Sequence, residues 1–268
     1  MYRQEMASNT FETIEVTRSA GVVSITLNRP ERKNAINQVM WNELLANFHE
    51  IGQSAADRVV VLTGASGDFC SGADLTGGGA GSPDKHQLAS MRHVGDVALA
   101  LARLPQPTIA KVRGVAVGAG CNMALICDLV VASDTARFSE IFAKRGLSLD
   151  FGGSWVLPRR VGMHRAKELA LLAEIIGAQE AERIGLVNRV VADADIDAFV
   201  ADWAKRLAAG PPIALAQSKR MLNNSSNVTL EQALEDEGAA QALNFGTKDT
   251  AEAMAAFLEK REPRFIGK

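Results

Sequence analysis

Two short stretches of small residues constrain this chain more than any other feature. They are FCSGAD at residues 69–74 and GVAVGAGC at residues 114–121. Each follows an apolar, β-branched run, at 59–62 and 109–112, that predicts a buried strand. Small residues there let a ligand approach the main chain, and two N–H groups aimed at one carbonyl oxygen would form an oxyanion hole for acyl chemistry. Close packing of a helix on a strand also requires small residues, so both interpretations stay open at this point.

Strands that alternate with helices predict an α/β architecture. Further strands are predicted at 21–27 and 129–132, and a helix is predicted from about 87 to 103, before two prolines. Asn37 is placed to cap another helix. The apolar face of that helix would consist of Met40, Leu44, Phe48 and Ile51. The glycine-rich segment 76–83 predicts a flexible loop.

From about residue 163 onward the pattern is mostly helical, which predicts a core over residues 1–200 and a helical oligomerisation region over 201–268. A capping box at Thr229 and Gln232 and a similar acidic pair at Asp249 and Glu252 predict the starts of the last two helices. The preceding helices are predicted at 163–173, 178–184, 194–209 and 212–222. Apolar residues near the end of the chain either need a partner subunit or join the core. They are Phe245, Met254, Phe257 and Leu258.

Composition excludes several classes of function. A formal net charge of −2 over 268 residues gives no support for nucleic-acid binding, and no apolar run is long enough to cross a membrane. Three cysteines without paired spacing and an N-terminus without a signal-peptide pattern predict a cytoplasmic protein. The four histidines are scattered, which argues against a metal site, and no G-x-S-x-G elbow is present. Met123 stands where a dinucleotide-binding loop would have its third glycine.

Seven motifs, taken in order, resemble the crotonase (enoyl-CoA hydratase/isomerase) superfamily over about residues 11–265. They are NAIN at 34–37, FCSGADL at 69–75, PTIAKVRGVAVGAGC at 107–121, CDL at 127–129, LPRRVG at 157–162, GLVNRVV at 185–191 and AFLEKR at 256–261. The resemblance implies a spiral of ββα turns with a helical C-terminal trimerisation region. It also implies an acyl-CoA substrate, no cofactor other than the coenzyme A of that substrate, and a homotrimer or a dimer of trimers.

The resemblance also assigns residues to a site. The N–H groups of Ala73 and Ala119 would hold the thioester oxygen, and residues 76–95 would shape the acyl pocket. The coenzyme A channel would be lined by Ala35, Ser71, Asp74 and Leu75. Phe257 and Lys260 would reach the coenzyme A of a neighbouring subunit.

The departures from the family pattern concern the hydration chemistry. Hydratases of this family carry two glutamates where this chain has Asn122 and Phe142. Water addition needs paired carboxylates, and an amide cannot take a proton at neutral pH. Glu140 is close to the second position, but a shift of two residues is expected to point it elsewhere, as a charge in the first turn of a helix.

Asp150 is the remaining carboxylate in a suggestive place. From the residues alone, an N-cap of the helix that follows is the better interpretation. The segment DFGGSWVLPRRVG at 150–162, however, resembles family members that isomerise ring epoxides of phenylacetyl-CoA, in which the aspartate acts on the acyl chain. A pocket lined by Phe142 and Trp155 would raise the pKa of Asp150 toward neutrality.

One acid suits a proton shuttle, so the expected function is isomerisation of a double bond or ring of an acyl-CoA thioester. The enolate would be stabilised by Ala73 and Ala119. An enoyl-CoA hydratase of fatty-acid β-oxidation is the first alternative. A dehalogenase with Asp150 as nucleophile ranks low, because Phe142-Ala143 replaces the Trp-His pair of such enzymes. A non-catalytic acyl-CoA-binding scaffold is the alternative from another class.

Overall fold

A computed structural model describes residues 11–76 and 86–268 of the chain. The strands of these residues are β1 (Ile14–Ser19), β2 (Val22–Leu27), β3 (Val59–Gly64), β4 (Thr108–Val112), β5 (Val115–Val117), β6 (Leu129–Ser133), β7 (Arg137–Ser139), β8 (Ile176–Gly177) and β9 (Arg189–Val191). Their helices are α1 (Gln38–Gln53), α2 (Gln87–Ala102), α3 (Ala119–Ile126), α4 (Gly153–Leu172), α5 (Ala178–Arg183), α6 (Ile196–Ala209), α7 (Pro212–Asn224), α8 (Leu230–Phe245) and α9 (Lys248–Glu259). Most of the predicted flexible loop at 76–83 lies outside the described residues.

Two sheets carry the fold. The larger has the strand order β1-β2-β3-β4-β6-β9, in which β1 is antiparallel to β2 and all other neighbours are parallel. The smaller has the order β5-β7-β8. The chain passes from β4 to β5 through Gly114, whose φ of +52° and close approach to the Asp68 backbone exclude a side chain. This change of sheet takes β5 into the smaller sheet and leads the chain into α3.

The larger sheet is covered on both faces. One face packs against α1, α2, α3 and α4 in the main core, while the other packs against α6 through Val59, Ile109, Val131 and Val200. Strands buried on both faces are continuous apolar runs, which is why β3, β4 and β6 are legible in the sequence. The α/β class and the helical C-terminal region are therefore confirmed.

Several predicted helix boundaries are confirmed and two are wrong. The Asn37 side chain accepts a hydrogen bond from the Met40 N–H at 2.9 Å, and Thr229 caps α8 through the Gln232 N–H at 3.3 Å. The last helix is capped by Thr247, while Asp249 is buried and accepts from the N–H groups of residues 266 and 267. The helix predicted at 163–173 belongs to α4, which begins ten residues earlier and is interrupted at Gly162.

The C-terminal helices bury little of their own surface. None of the residues of α7 is buried, and α8 buries Ala240 alone. Their exposed apolar side chains include Leu222, Leu234, Phe245, Met254, Phe257 and Leu258. The sequence left open whether the apolar residues near the end of the chain join its own core. Phe245, Met254, Phe257 and Leu258 are all exposed, so they do not. No helix in the described ranges has the length and apolar character needed to cross a membrane.

Candidate active site

The two stretches of small residues lie side by side. The Cys70 N–H donates to the Val115 carbonyl at 2.8 Å, and the Val117 N–H donates to the Cys70 carbonyl at 2.9 Å. The first stretch is thereby paired with β5, which leads into α3 at Ala119. Strand pairing thus brings two segments that are 45 residues apart, at Ala73–Asp74 and Gly118–Ala119, to one place.

Glycines allow this close approach. Gly72 has a φ of +98°, and a Cβ atom there would lie 2.9 Å from the Val117 carbonyl oxygen and 3.7 Å from the Ala119 nitrogen. A Cβ atom on Gly120 would lie 2.7 Å from the Cβ of Cys70. Both positions therefore require glycine. The close packing that the sequence offered as one interpretation is confirmed, and it places Ala73 near Ala119; an oxyanion hole at these amides stays a prediction.

The amides of the two alanines are free of protein acceptors. Over the described residues, neither the Ala73 N–H nor the Ala119 N–H donates a hydrogen bond to the protein, whereas the next amide along, of Asp74, donates to the Ile36 carbonyl at 2.9 Å. Ala119 is the first residue of α3, where N–H groups point out of the helix and the dipole is positive. Both amides can therefore donate a hydrogen bond to a ligand oxygen that develops negative charge.

Arg29 ties together the segments predicted to line a ligand channel. Its guanidinium lies 2.9 Å from the Asp74 carboxylate and donates to the Ala35 carbonyl at 2.6 Å. Thr76 donates twice to the same carboxylate, at 2.6 and 3.0 Å, and these bonds together with Arg29 lower the pKa of Asp74 to about 2. Ser71 donates to the Arg32 carbonyl at 3.1 Å, and Leu75 is exposed. The four predicted channel residues thus share one surface region beside the Ala73 amide.

Asn122 connects the start of α3 to the predicted acid. Its side chain is fully buried, and its amide nitrogen donates to the Asp150 carbonyl at 3.0 Å and to the Glu140 carboxylate at 3.3 Å. A Cβ atom on Gly153 would lie 2.7 Å from the Asn122 amide carbon, so glycine at the start of α4 admits this contact. Asn122, one helical turn after Ala119 in α3, therefore holds the main chain at Asp150.

The Asp150 side chain does not cap α4. The cap residue is Gly152, with no side-chain hydrogen bond, so the N-cap interpretation is wrong. Phe151 and Gly152 have φ values of +46° and +80°, and Phe151 is held by stacking on Trp41 with the ring centroids 5.4 Å apart. One Asp150 carboxylate oxygen is buried and has no hydrogen-bond partner in residues 11–76 and 86–268, and burial raises the pKa of this carboxyl to about 6.

The two predicted aromatic neighbours differ in placement. Phe142 is buried, and its ring lies 3.6 Å from where a Cβ on Gly118 would be, so it packs against the small-residue stretch at 114–121. Trp155 is 42% exposed, and the Arg159 guanidinium lies 4.0 Å from the centre of its ring. Trp155 is therefore partly solvent-exposed and in contact with a cation, whereas Phe142 is enclosed; that the two line one acyl pocket stays a prediction.

Glu140 is the site residue that sequence reasoning missed. It is 2% exposed and faces Asn122, so the expectation that it points elsewhere as a helix charge is wrong. Burial and, to a smaller extent, the Asp150 charge raise the pKa of Glu140 to about 7, against the opposing effects of the Cys121 thiol and the Asn122 amide. An acid inside the apolar sequence FSEIF was the available signal, because such an acid has little water around it.

Phe257 lies on α9 and Lys260 follows its last residue. Among the described residues, no hydrogen bond or ion pair joins either side chain to the small-residue stretches at 69–74 and 114–121. The Phe257 side chain is 81% exposed, and Lys260 ends α9 with a φ of +55°. Where the structure describes the chain, no group of three or more histidine, cysteine or acidic side chains is arranged to hold a metal ion.

The sequence matches the family model for enoyl-CoA hydratase/isomerase over residues 17–268. The chain belongs to this family. A probable enoyl-CoA hydratase of Rhodobacter capsulatus is 40% identical over 96% of this chain and 99% of its own length. The 1,2-epoxyphenylacetyl-CoA isomerase of Escherichia coli is 37% identical over 92% of this chain and 96% of its own.

Solved structures of the family have the same fold. The enoyl-CoA hydratase of Bacillus anthracis superposes with a TM-score of 0.91 at 34% identity, over 96% of this chain and all of that one. An enoyl-CoA hydratase candidate from Thermobifida fusca, crystallised in complex with acetoacetyl-CoA, gives a TM-score of 0.80 at 36% identity over 87% of this chain and 94% of its own. The resemblance drawn from the sequence motifs is thereby confirmed.

Proposed function

We propose that this family member isomerises a double bond or a strained ring of an acyl-CoA thioester through an enolate, with Asp150 as proton shuttle. The observation that carries the proposal is the Asp150 carboxyl, which is poorly hydrated, does not cap α4 and belongs to a residue whose main-chain carbonyl is bound by Asn122. Asn122 lies on α3, which begins at Ala119, one of the two amides without an acceptor among the described residues. The acetoacetyl-CoA bound by the Thermobifida fusca relative supports a thioester as ligand.

The amides and the acid have complementary roles. The N–H groups of Ala73 and Ala119 hold the thioester oxygen, and one such donor typically contributes about 3–4 kcal/mol to lowering the barrier. For a 3-enoyl-CoA, the C2–H bond breaks, its proton goes to Asp150 and its electron pair forms the enolate. Return of the proton to C4 shifts the double bond to C2=C3. Asp150 starts and ends ionised, so one carboxylate completes the cycle.

The channel residues and the C-terminal helices complete the proposal. Coenzyme A lies along Ala35, Ser71, Asp74 and Leu75, and Asn122 and Phe142 bound the acyl end. The exposed apolar side chains of α8 and α9 support a homotrimer or a dimer of trimers, in which Phe257 and Lys260 reach the coenzyme A of the neighbouring subunit. Three free, buried thiols suit the reducing conditions of the cytoplasm.

Hydration is the second candidate function, because Glu140 and Asp150 form a buried pair of carboxyls that the sequence pattern did not reveal. The name of the Rhodobacter capsulatus relative points the same way. In this arrangement one carboxyl would deprotonate water and the other would protonate the α-carbon. The pair lies at different positions from the family glutamates, so it is ranked below isomerisation.

The test is incubation of the protein with 3-enoyl-CoA, crotonyl-CoA and aromatic epoxide CoA thioesters in deuterated water. Isomerised product with exchange at C2 and C4, lost in Asp150→Asn and kept in the exposed-surface control Asp202→Asn, supports the proposal. Clean hydration of crotonyl-CoA that Asp150→Ala abolishes would establish the hydratase. Binding of coenzyme A thioesters without turnover, unaffected by Asp150→Asn, would identify a scaffold.

A further inference from the structure

The side chains of Asn122, Glu140 and Asp150 form a cluster with more hydrogen-bond acceptors than donors. Each contributes one buried side-chain oxygen for which the described residues supply no hydrogen-bond partner: Oδ1 of Asn122, Oε1 of Glu140 and Oδ1 of Asp150. The Asn122 amide nitrogen has two hydrogens, and both are engaged, one by the Glu140 carboxylate and one by the Asp150 main-chain carbonyl. Buried oxygens of this kind are normally satisfied, so the cluster is arranged to hold an additional proton.

The groups that face Glu140 include no cation among the described residues. From α3 come the Cys121 thiol and the Asn122 amide, and from the segment before α4 comes the Asp150 carboxyl. Burial raises the pKa of the Cys121 thiol well above its usual range, so it is neutral. If both carboxyls were ionised, two negative charges would repel one another in a poorly hydrated site that no cation neutralises among the described residues. We therefore expect one of the two carboxyls to retain its proton near neutral pH.

We propose that Glu140 is a positioning residue for the reaction: it holds the retained proton, and through Asn122 it fixes the main chain that carries Asp150. Asp150 is then the carboxyl that ionises and meets the substrate. This inference rests on the proposed function of Asp150. Glu140 is enclosed at 2% exposure, whereas the Asp150 residue is partly exposed, so solvation favours ionisation of Asp150. The pKa values, about 7 for Glu140 and about 6 for Asp150, agree with this order.

The hydrogen bond from Asn122 explains how Glu140 acts at a distance. An isolated amide can rotate by half a turn and exchange its oxygen for its nitrogen. The Glu140 carboxylate and the Asp150 carbonyl both accept from the nitrogen, so they fix its orientation. Without Glu140, the amide loses one of its two acceptors and the turn at 150–152 loses its anchor. A neutral glutamine at position 140 can still accept this bond, whereas alanine cannot.

The experiment compares wild type with Glu140→Gln and Glu140→Ala, with Asp202→Asn as the surface carboxylate control. The rate kcat/KM for 3-hexenoyl-CoA is measured from pH 5 to pH 9. In wild type we expect a rise near pH 6, as Asp150 ionises, and a fall above pH 7, as Glu140 loses its proton. Glu140→Gln keeps the rise and loses the fall, which raises the ratio of the rates at pH 8.5 and pH 6.5 about tenfold. For Glu140→Ala we expect kcat/KM to be about tenfold lower than that of wild type at every pH.

The outcomes separate this inference from the proposed function. If Asp150→Asn is inactive while Glu140→Gln has the wild-type pH profile, Glu140 has no positioning role and the proposed function stands. If Asp150→Asn is as active as wild type, the proposed function fails. Should the Glu140 variants not fold, or wild type not act on 3-hexenoyl-CoA, wild-type protein with ¹³C-labelled glutamate carboxyls decides by NMR. A glutamate that titrates near pH 7 supports the inference, and glutamates that all titrate below pH 5.5 overturn it.

Discussion

Two aspartates of the site have opposite surroundings. Asp74 receives two hydrogen bonds from Thr76 and an ion pair from Arg29, which lower the pKa of its carboxyl to about 2. The Asp150 side chain receives no hydrogen bond among the described residues, and burial raises the pKa of its carboxyl to about 6. Asp74 is therefore a fixed charge that holds its turn in place, whereas Asp150 can change its protonation state near neutral pH.

The largest effect expected from this contrast is on catalysis. Replacing Asp150→Asn removes the group that carries the proton and preserves its size, so kcat should fall by about 10³-fold or more with little change in KM. Asp74→Asn should mainly raise KM, because it weakens the turn that borders the channel. Steady-state kinetics on a 3-enoyl-CoA thioester checks both. A larger fall in kcat for Asp74→Asn than for Asp150→Asn would reverse the assignment.

The next effect is on stability and follows from the buried Glu140 carboxyl. Its pKa is about 7 in the native state and about 4.3 in an unfolded chain. The native state therefore binds more protons between these values, and the stability of wild type falls as pH rises from about 4.5 to 7. Glu140→Gln lacks this loss. The free energy of unfolding of the variant, relative to that of wild type, should therefore rise by an amount on the order of 3 kcal/mol between pH 4.5 and pH 7. Urea unfolding at pH 4.5 and pH 7.5 measures the difference, and an equal offset at both would contradict it.

Asp74 should give a smaller effect of the opposite sign. Its pKa is lowered in the native state, so its stabilising contribution is present above about pH 4 and is lost as pH falls toward 2. Asp74→Asn should cost about 1–2 kcal/mol of unfolding free energy at pH 7, since hydrogen bonds to a charged group are lost. The difference between this variant and wild type should shrink in unfolding measurements at pH 3. A difference that grows on acidification would show that Asp74 is not ionised in the native state.

The smallest effect is expected at Thr76. Thr76→Ala removes one of the two hydrogen bonds from this residue to Asp74 and leaves its backbone bond and the Arg29 ion pair. The cost should be about 0.5–1 kcal/mol, with a slightly raised pKa of Asp74. Denaturant unfolding and ¹³C NMR of aspartate carboxyls report the two quantities. A loss as large as that of Asp74→Asn would mean that the threonine hydroxyl, and not the ion pair, holds the turn.

Features set by local chemistry were predictable from the sequence. The Asn37 cap, the buried face of α1 and the three central strands depend on capping residues and apolar periodicity. The two small-residue stretches at 69–74 and 114–121 were identified because close backbone approach requires small residues. Short strands such as β5, β7 and β9 were not predicted, because three residues carry no periodic signal and pair only in the folded chain.

The acid cluster shows where the residue pattern was insufficient. Glu140 was expected to point away from the site because it lies two residues from the family position. Its neighbours in the folded chain are Asn122 and Asp150, 18 residues before it and 10 after it. The Asp150 cap was excluded only by the left-handed Phe151-Gly152 turn, which is held by the Trp41 ring from a distant helix. Long-range packing decided both cases, and a single sequence does not display it.

Transfer of deuterium within the substrate tests the central claim most directly. Wild type is given a 3-enoyl-CoA deuterated at C2, in ordinary water, and the product is examined by NMR. We expect a 2-enoyl-CoA in which part of the deuterium has moved from C2 to C4, carried by Asp150, and no transfer in Asp150→Asn. A wild type that leaves this substrate unchanged while it hydrates crotonyl-CoA, or deuterium transfer that survives Asp150→Asn, would contradict the proposed role of Asp150.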